Sequence, residues 1–225
     1  MRRISLLVNV VAAFMFVAFF MVGCDSEQKS TSALAKIEEL TGQVTVNSAA
    51  ASKDQKLKEN DVVEVAKDSM ATIAYLHDNT KINLFYSEKN AANSKLIIKP
   101  VKNSGKTFVV NLVNGLLTFF VPPVENRVGN FEITADDAVV SIYQTMGKVE
   151  NSAAEISVAL VRGKVGVSLA GKELTVEANQ QWVYEKKAKS GPEVKAYDSS
   201  NADDEKLYSR DKGSVNTDIN LDGRK

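Results

Sequence analysis

The chain has 225 residues, of which 44% are apolar, and its 28 acidic and 28 basic side chains leave no net charge. This balance gives no support to a nucleic-acid or polyanion partner, so we expect neither. The single cysteine excludes a disulfide within the chain, and the single histidine excludes a metal site with several histidine ligands. We therefore expect no metal and no cofactor.

The beginning of the chain has the pattern of a secretory leader. Arg2 and Arg3 form a basic start, residues 4–23 carry no charge, and the sequence turns polar directly after Cys24. A plain membrane anchor is the alternative interpretation, because an uncharged apolar segment of this length can span a bilayer. Both interpretations attach the N-terminus to a membrane and place the remainder outside the cytoplasm.

Residues 21–24, with the sequence MVGC, resemble the lipobox of bacterial lipoproteins. The resemblance implies that residues 1–23 are a signal peptide, that the bond between Gly23 and Cys24 is cut, and that Cys24 carries acyl chains such as palmitate. Two or more chains hold a protein stably on a membrane. We expect a lipid-anchored protein of the bacterial cell envelope that faces the periplasm or the cell surface. Residues 24–33 are predicted to be a polar tether.

From residue 34 onward the sequence alternates between apolar and polar residues, as half-buried β-strands do. The alternation is clearest in residues 156–185, where three β-segments follow one another. Residues 47–60 and 147–152 are predicted to be loops. The predicted strands, in chain order, lie near residues 37–46, 62–65, 70–76, 81–85, 96–101, 108–113, 116–121, 131–134, 138–143 and within 156–185.

Turn residues suggest how some strands are joined. Residues 77–80, with the sequence HDNT, predict a hairpin between the strands on either side. The Asn114-Gly115 pair between two apolar alternations predicts a second hairpin, because this dipeptide fits a two-residue turn. Pro100 lacks a backbone donor, so residues 96–101 are predicted to form an edge strand or the end of a strand.

Roughly twelve strands at short turn spacings, without a long helical period, predict an all-β fold. We expect an antiparallel β-sandwich, jelly-roll-like in arrangement, over residues 34–197. Residues 198–225 contain few apolar side chains and are predicted to be a disordered polar tail.

The order of several short motifs resembles the FecR-type periplasmic domain over about residues 34–187. These motifs are LTGQVTV at 40–46, LKENDVV at 57–63, the hairpin at 69–82, FEITA at 131–135, VRGKV at 161–165 and the last strand at 174–183. The resemblance implies a non-catalytic domain that binds or senses an extracytoplasmic partner, either an envelope protein or a glycan. Members that give the family its name regulate sigma factors through a cytoplasmic domain. Because only three residues precede the apolar segment, we expect no sigma-factor partner here.

The alternative to a binding or sensing domain is an enzyme, and three carboxylate side chains suggest it. Glu132, Asp136 and Asp137 could act as the acid and base of an enzyme on envelope glycans. A polar turn between two apolar strands explains Asp136 and Asp137 equally simply, so we expect no enzyme. His77, the only histidine, is predicted to be a solvent-facing turn residue.

Three further groups of residues have both a functional and a structural interpretation. The spacing of Asp218, Asn220 and Asp222 is that of a partial calcium loop, or of an ordinary polar tail. Trp182 and Tyr184 share one face of a strand and are predicted to pack in or beside the core, rather than to stack on a sugar. Four lysines could contact acidic glycans or lipid head groups, or simply protect a solvated edge, and they are Lys95, Lys99, Lys102 and Lys106.

Overall fold

The structure of the chain is a computed structural model and describes residues 32–102, 107–122, 130–188 and 190–200. Regular structure in these ranges consists of strands, which confirms the all-β class. The part of the chain that the structure describes has no helix that could cross a membrane. The strands are β1 (Ala35–Thr41), β2 (Val44–Val46), β3 (Ala49–Ala50), β4 (Lys56–Leu57), β5 (Val62–Val65), β6 (Met70–Tyr75), β7 (Lys81–Phe85), β8 (Ser94–Ile98), β9 (Thr107–Phe120), β10 (Asn130–Ala135), β11 (Ala138–Ile142), β12 (Met146–Asn151), β13 (Glu155–Arg162), β14 (Lys164–Leu169), β15 (Lys172–Glu177), β16 (Gln180–Glu185) and β17 (Glu193–Ala196).

The strands form a sandwich-like pair of sheets that share β9. Sheet 1 has the order β4-β1-β6-β7-β9-β12-β13-β16-β17. Sheet 2 has the order β3-β2-β5-β8-β9-β10-β11-β14-β15. Neighbouring strands are antiparallel as predicted, except that β9 and β10 are parallel. Apolar side chains from both sheets pack into one core cluster.

The alternating residues 156–185 form four strands that are divided between the two sheets. β13 and β16 pair in sheet 1, whereas β14 and β15 form a hairpin in sheet 2. Gly163, with a φ of +83°, allows the chain to leave one sheet for the other. Ala170 and Gly171, with φ values of +49° and +77°, form the two-residue turn of the hairpin. Alternation therefore predicted three β-segments where the structure has four strands, because it did not separate β15 from β16, and it could not assign the strands to sheets.

The hairpin predicted at Asn114-Gly115 is wrong, because β9 runs through both residues as one strand of 14 residues. Its first half, up to Asn114, pairs with β8 and β10, and its second half, from Gly115, pairs with β7 and β12. Gly115 has a φ of +118°, and a Cβ atom at this position would lie 3.0 Å from the Cα atom of Ser94. The glycine is thus needed for a bend and a close approach between strands, rather than for a chain reversal.

Of the two interpretations of residues 96–101, the edge strand is wrong and the strand end is confirmed. β8 lies between β5 and β9 in sheet 2, and Leu96 and Ile98 are fully buried. Pro100 follows the end of the strand, so it removes no donor from the ladder.

The two predicted loops also contain strands. Residues 47–60 include β3 and β4, and residues 147–152 overlap β12. The inward-facing positions of β12 are Gly147, Val149 and Asn151. Val149 is the one large apolar residue among them, so the sequence gives little sign of this strand. The hairpin predicted around residues 77–80 is confirmed, because β6 and β7 pair on either side of it.

Candidate functional site

Glu132 and the Asp136-Asp137 pair do not form a catalytic pair of carboxylates. Glu132 lies within β10, and its Oε2 atom is 3.1 Å from the Nζ atom of Lys102. Asp136 and Asp137 form the turn between β10 and β11, about 13 Å further along the strand direction at the usual rise per residue. Glu132 and the Asp136-Asp137 turn therefore lie in different surroundings, and Glu132 is already paired with Lys102.

Asp136 belongs instead to a network that is centred on the buried Asn151. Lys186 lies with its Nζ atom 2.6 Å from Asp136 Oδ2, and it donates a hydrogen bond of 2.8 Å to Asn151 Oδ1. The amide nitrogen of Asn151 donates to the carbonyl oxygens of Leu112 and Val113, each at 2.9 Å. The network joins the ends of β12 and β16 and the β10–β11 turn to β9 close to its bend. Its geometry indicates a structural role.

A second polar network surrounds Lys89, which sequence reasoning did not identify. Its ammonium group lies 2.7 Å from Glu150 and 2.8 Å from Glu155, and Ser87 donates a hydrogen bond of 2.6 Å to Glu150. Burial lowers the pKa of Lys89, but hydrogen bonds to Glu150 and then to Glu155 outweigh burial, so the pKa of Lys89 is raised overall. One ammonium group faces two carboxylates, so the network has an excess negative charge, and each of its charged groups already has a partner within the chain.

His77 lies at the β6–β7 turn, as predicted, but its ring is not simply exposed to solvent. It stacks on Phe108, with ring centroids 3.5 Å apart, and its Nε2 atom is 3.2 Å from the Asp78 carboxylate. Tyr75, which is buried, packs edge-on against Phe108 and Phe131. Burial, and then the Asp78 carboxylate, raise the pKa of Tyr75 far above its ordinary value. These contacts indicate a cap on the core rather than a catalytic base.

The lysine group predicted along one segment does not protect an edge, because β8 is an interior strand. Lys95 Nζ lies 3.0 Å from Glu64 on the neighbouring β5, and Lys102 lies beside Glu132. Lys99 is partly buried and Lys106 lies outside the described residues. Two of the four charges, those of Lys95 and Lys102, are therefore balanced by neighbouring glutamates.

Trp182 and Tyr184 have the predicted packing role. Trp182 is fully buried in the core cluster, and Tyr184 packs against that cluster while remaining partly exposed. Trp182 therefore has no exposed face on which a sugar could stack.

An open groove lies where the ends of three strands of sheet 2 meet. It has a volume of about 540 Å³ and lies beside the ends of β11 and β15 and the start of β14. Tyr143, which is 55% exposed, provides its aromatic surface. Polar groups share the lining, and the residues around the groove are Tyr143, Gln144, Thr145, Gly163, Lys164, Glu177 and Ala178.

The groove adjoins β15, the outermost strand of sheet 2. β15 pairs with β14 on one side, and all of its residues except Val176 are exposed. Among the described residues no second strand pairs with β15, and an open strand edge is a feature by which proteins bind extended segments of a partner. Among the described residues, no group of three or more His, Cys, Asp and Glu side chains could hold a metal ion.

Two of the predicted sites cannot be placed on this structure. Gly23 and Cys24, at the predicted cleavage and lipid-attachment point, lie outside the described residues, as do Asp218, Asn220 and Asp222 of the calcium-type loop. Both sites stay predictions.

Comparison with known proteins supports an FecR-type domain in this chain. The family model described as FecR protein matches residues 61–166, from the start of β5 into β14. The region includes the bend of β9, Asn151 and Tyr143, whereas β15 lies beyond its end. No curated protein matches the chain.

Two solved structures of one bacterial protein have a similar fold. They are crystal structures, at 1.65 and 2.50 Å, of a protein from Parabacteroides distasonis ATCC 8503 described as a candidate anti-sigma factor. Each has a TM-score of 0.52 and 18% sequence identity, and the similarity covers 68% of this chain. The chain spans 65% and 64% of the two solved chains. At this level of identity, the likeness shows the fold alone.

These findings overturn the expectation that the chain has no sigma-factor partner. That expectation depended on the shortness of the segment before the apolar stretch. The FecR match, together with a neighbour described as a candidate anti-sigma factor, conflicts with that exclusion. The length of the N-terminal segment is therefore no ground for excluding such a role.

Proposed function

We propose that the chain is a non-catalytic, lipid-anchored protein of the bacterial envelope, whose FecR-type β-domain binds or senses an extracytoplasmic partner within a sigma-factor regulatory system. The observation that carries this proposal is the FecR match over residues 61–166, located in a sandwich-like all-β fold. The neighbour described as a candidate anti-sigma factor supports the same class of function.

The surroundings of the carboxylates support binding over catalysis. Glu132 and Asp136 each face a lysine, at 3.1 and 2.6 Å, and they lie at separate places along β10. A glycosidase instead needs two carboxyl groups that face one substrate across a cleft. The groove beside Tyr143 and the open edge of β15 offer surfaces for a partner.

The alternative enzyme function can be tested with the combined Glu132→Gln, Asp136→Asn and Asp137→Asn variant in native cells. We expect it to preserve the response of sigma-factor-dependent transcripts that deletion of the gene changes, because binding does not need these carboxylates. RNA sequencing of the deletion strain, complemented with either form, measures this. A variant with Glu193→Gln on β17 controls for the loss of a surface charge. Loss of the response in the combined variant, at wild-type protein levels, would favour the glycan-acting enzyme.

The proposed lipid anchor predicts a clear effect of Cys24→Ser. We expect the variant to lose label from an alkyne analogue of palmitate, because Cys24 is the residue that carries the acyl chains. Ser26→Ala, two residues away, is the matched control and should behave like the wild type. A wild-type protein that takes up no label would instead indicate an uncleaved apolar anchor.

A further inference from the structure

Among the outermost strands of the two sheets, β15 is the longest. β3 and β4 have two residues each and β17 has four, whereas β15 has six. Very short edge strands are one means by which proteins prevent unwanted pairing. β15 does not have this protection, and it also has no proline and no bulge in its pairing with β14.

The register of the β14–β15 hairpin determines which backbone groups face outward. Leu169 and Lys172 close a two-residue turn, so they form a hydrogen-bonded pair, and such pairs recur at every second position. The backbone N–H and C=O groups of Glu173 and Thr175 therefore point away from β14. The next outward N–H group, that of Glu177, is already capped by the Gln180 side chain at 2.9 Å. The open edge is thus centred on Thr175.

The side chains along this edge differ between the two faces of β15. Glu173 and Glu177 lie on one face, and within the part of the chain that is described neither forms an ion pair, although Lys164 lies opposite Glu177 in register. Leu174 lies on the other face and is 40% exposed.

On interior strands of this fold, lysine side chains balance the charge of the glutamates. Glu64 and Glu132 each have a lysine within 3.1 Å, contributed by a neighbouring segment of the chain. A strand added beside β15 would supply the same kind of neighbour. Basic side chains on one face would meet Glu173 and Glu177, and apolar side chains on the other would cover Leu174.

A second copy of the chain does not fit this edge well. If two β15 strands paired in antiparallel fashion about Thr175, Glu173 of each would lie directly opposite Glu177 of the other. Like charges in directly opposed positions destabilise a pair of strands. The charge pattern therefore favours a different chain.

We propose that β15 is a docking edge for an extended segment of a partner protein whose residues alternate between basic and apolar side chains. Main-chain hydrogen bonds at Glu173 and Thr175 hold the segment, the two glutamates select its basic face, and Leu174 receives its apolar face. The groove beside Tyr143, which adjoins Glu177, accommodates the residue that continues past the end of the strand. This inference rests on the proposed binding function and extends it to the chemistry of the partner.

The test uses the full chain in detergent and two synthetic probes, a peptide of alternating lysine and valine and a peptide of alternating glutamate and valine. Fluorescence anisotropy should show that the basic peptide binds at least tenfold more tightly than the acidic one. Thr175→Pro should weaken binding of the basic peptide at least tenfold, because it removes an outward donor without removing a bond to β14. The combined Glu173→Lys and Glu177→Lys variant should reverse the preference.

Glu193→Lys, a charge reversal on the edge strand β17, is the matched control and should leave binding unchanged. Circular dichroism and the fluorescence of Trp182 verify that each variant is folded. Equal binding of the two peptides, or full binding by a folded Thr175→Pro protein, would overturn the inference. So would a dimer, seen by analytical ultracentrifugation, that dissociates in Thr175→Pro. Any of these results, with the sigma-dependent response intact in cells, would leave the proposed function standing.

Discussion

Gly115→Ala is expected to lower the free energy of unfolding by about 4 kcal/mol, near the upper end of what single substitutions do. The residue lies at the bend of β9 with a φ of +118°, where a side chain strains the backbone. A Cβ atom would also overlap the side chain of Ser94 and approach its Cα atom to 3.0 Å, so the two strands would have to separate. Urea denaturation followed by the fluorescence of Trp182, the single tryptophan, measures the loss.

Gly171→Ala provides the control for backbone strain alone. Gly171 has a φ of +77°, but nothing lies within 4 Å of the position that a Cβ atom would occupy. We expect this substitution to cost only about 1 to 2 kcal/mol, the usual penalty for a left-handed residue with a side chain. If the two alanine variants lost the same stability, close packing at the bend would not be the reason for glycine at position 115.

Asn151→Ala is expected to cost about 3 kcal/mol, because it removes a buried amide that joins β9 to Lys186 and leaves the buried Leu112 carbonyl without this donor. The carbonyl oxygens of Leu112 and Val113 lose their 2.9 Å donors, and Lys186 loses the acceptor at 2.8 Å. Asn151 is fully buried, so water cannot readily replace its side chain. Thermal and urea unfolding of the variant measure the loss.

Asn114→Ala is the matched control for Asn151→Ala. Asn114 also donates a hydrogen bond to a backbone carbonyl, that of Asn93 at 2.9 Å, but this bond is exposed to solvent. Its loss should cost less than about 1 kcal/mol, since water can take the place of the amide. A comparable loss in both variants would contradict a special role for the buried network.

The sequence predicted those parts of the fold in which alternation is local and strong. β14 and β15 form the hairpin that residues 165–176 suggested, because apolar residues recur at every second position up to the turn at Gly171. The sequence did not predict β12, because its inward positions include Gly147 and Asn151. These two residues are buried by contacts with other strands, which local alternation does not show. The hairpin at Asn114-Gly115 was wrongly predicted for the same reason. Position 115 requires glycine because a Cβ atom there would overlap Ser94, which is distant in the sequence.

The proposed binding surface was less predictable than the fold. Glu132 and Asp136 attracted attention as carboxylates, but their lysine partners, Lys102 and Lys186, are 30 and 50 residues away in the sequence (132 − 102 and 186 − 136). The open edge of β15 depends on which strand is outermost, and hydrophobic patterning does not encode strand order across a sheet. A short sequence signal was nevertheless present, because Glu173 and Glu177 lie on the same side of a predicted strand.

β9 also determines how the domain should lose its structure. It is an inner strand of both sheets, flanked by β8 and β10 in one and by β7 and β12 in the other. Neither sheet can therefore come apart without disrupting a strand on which the other depends. The two layers should consequently unfold in one cooperative transition, with the backbone amides of β9 among the last to exchange with solvent.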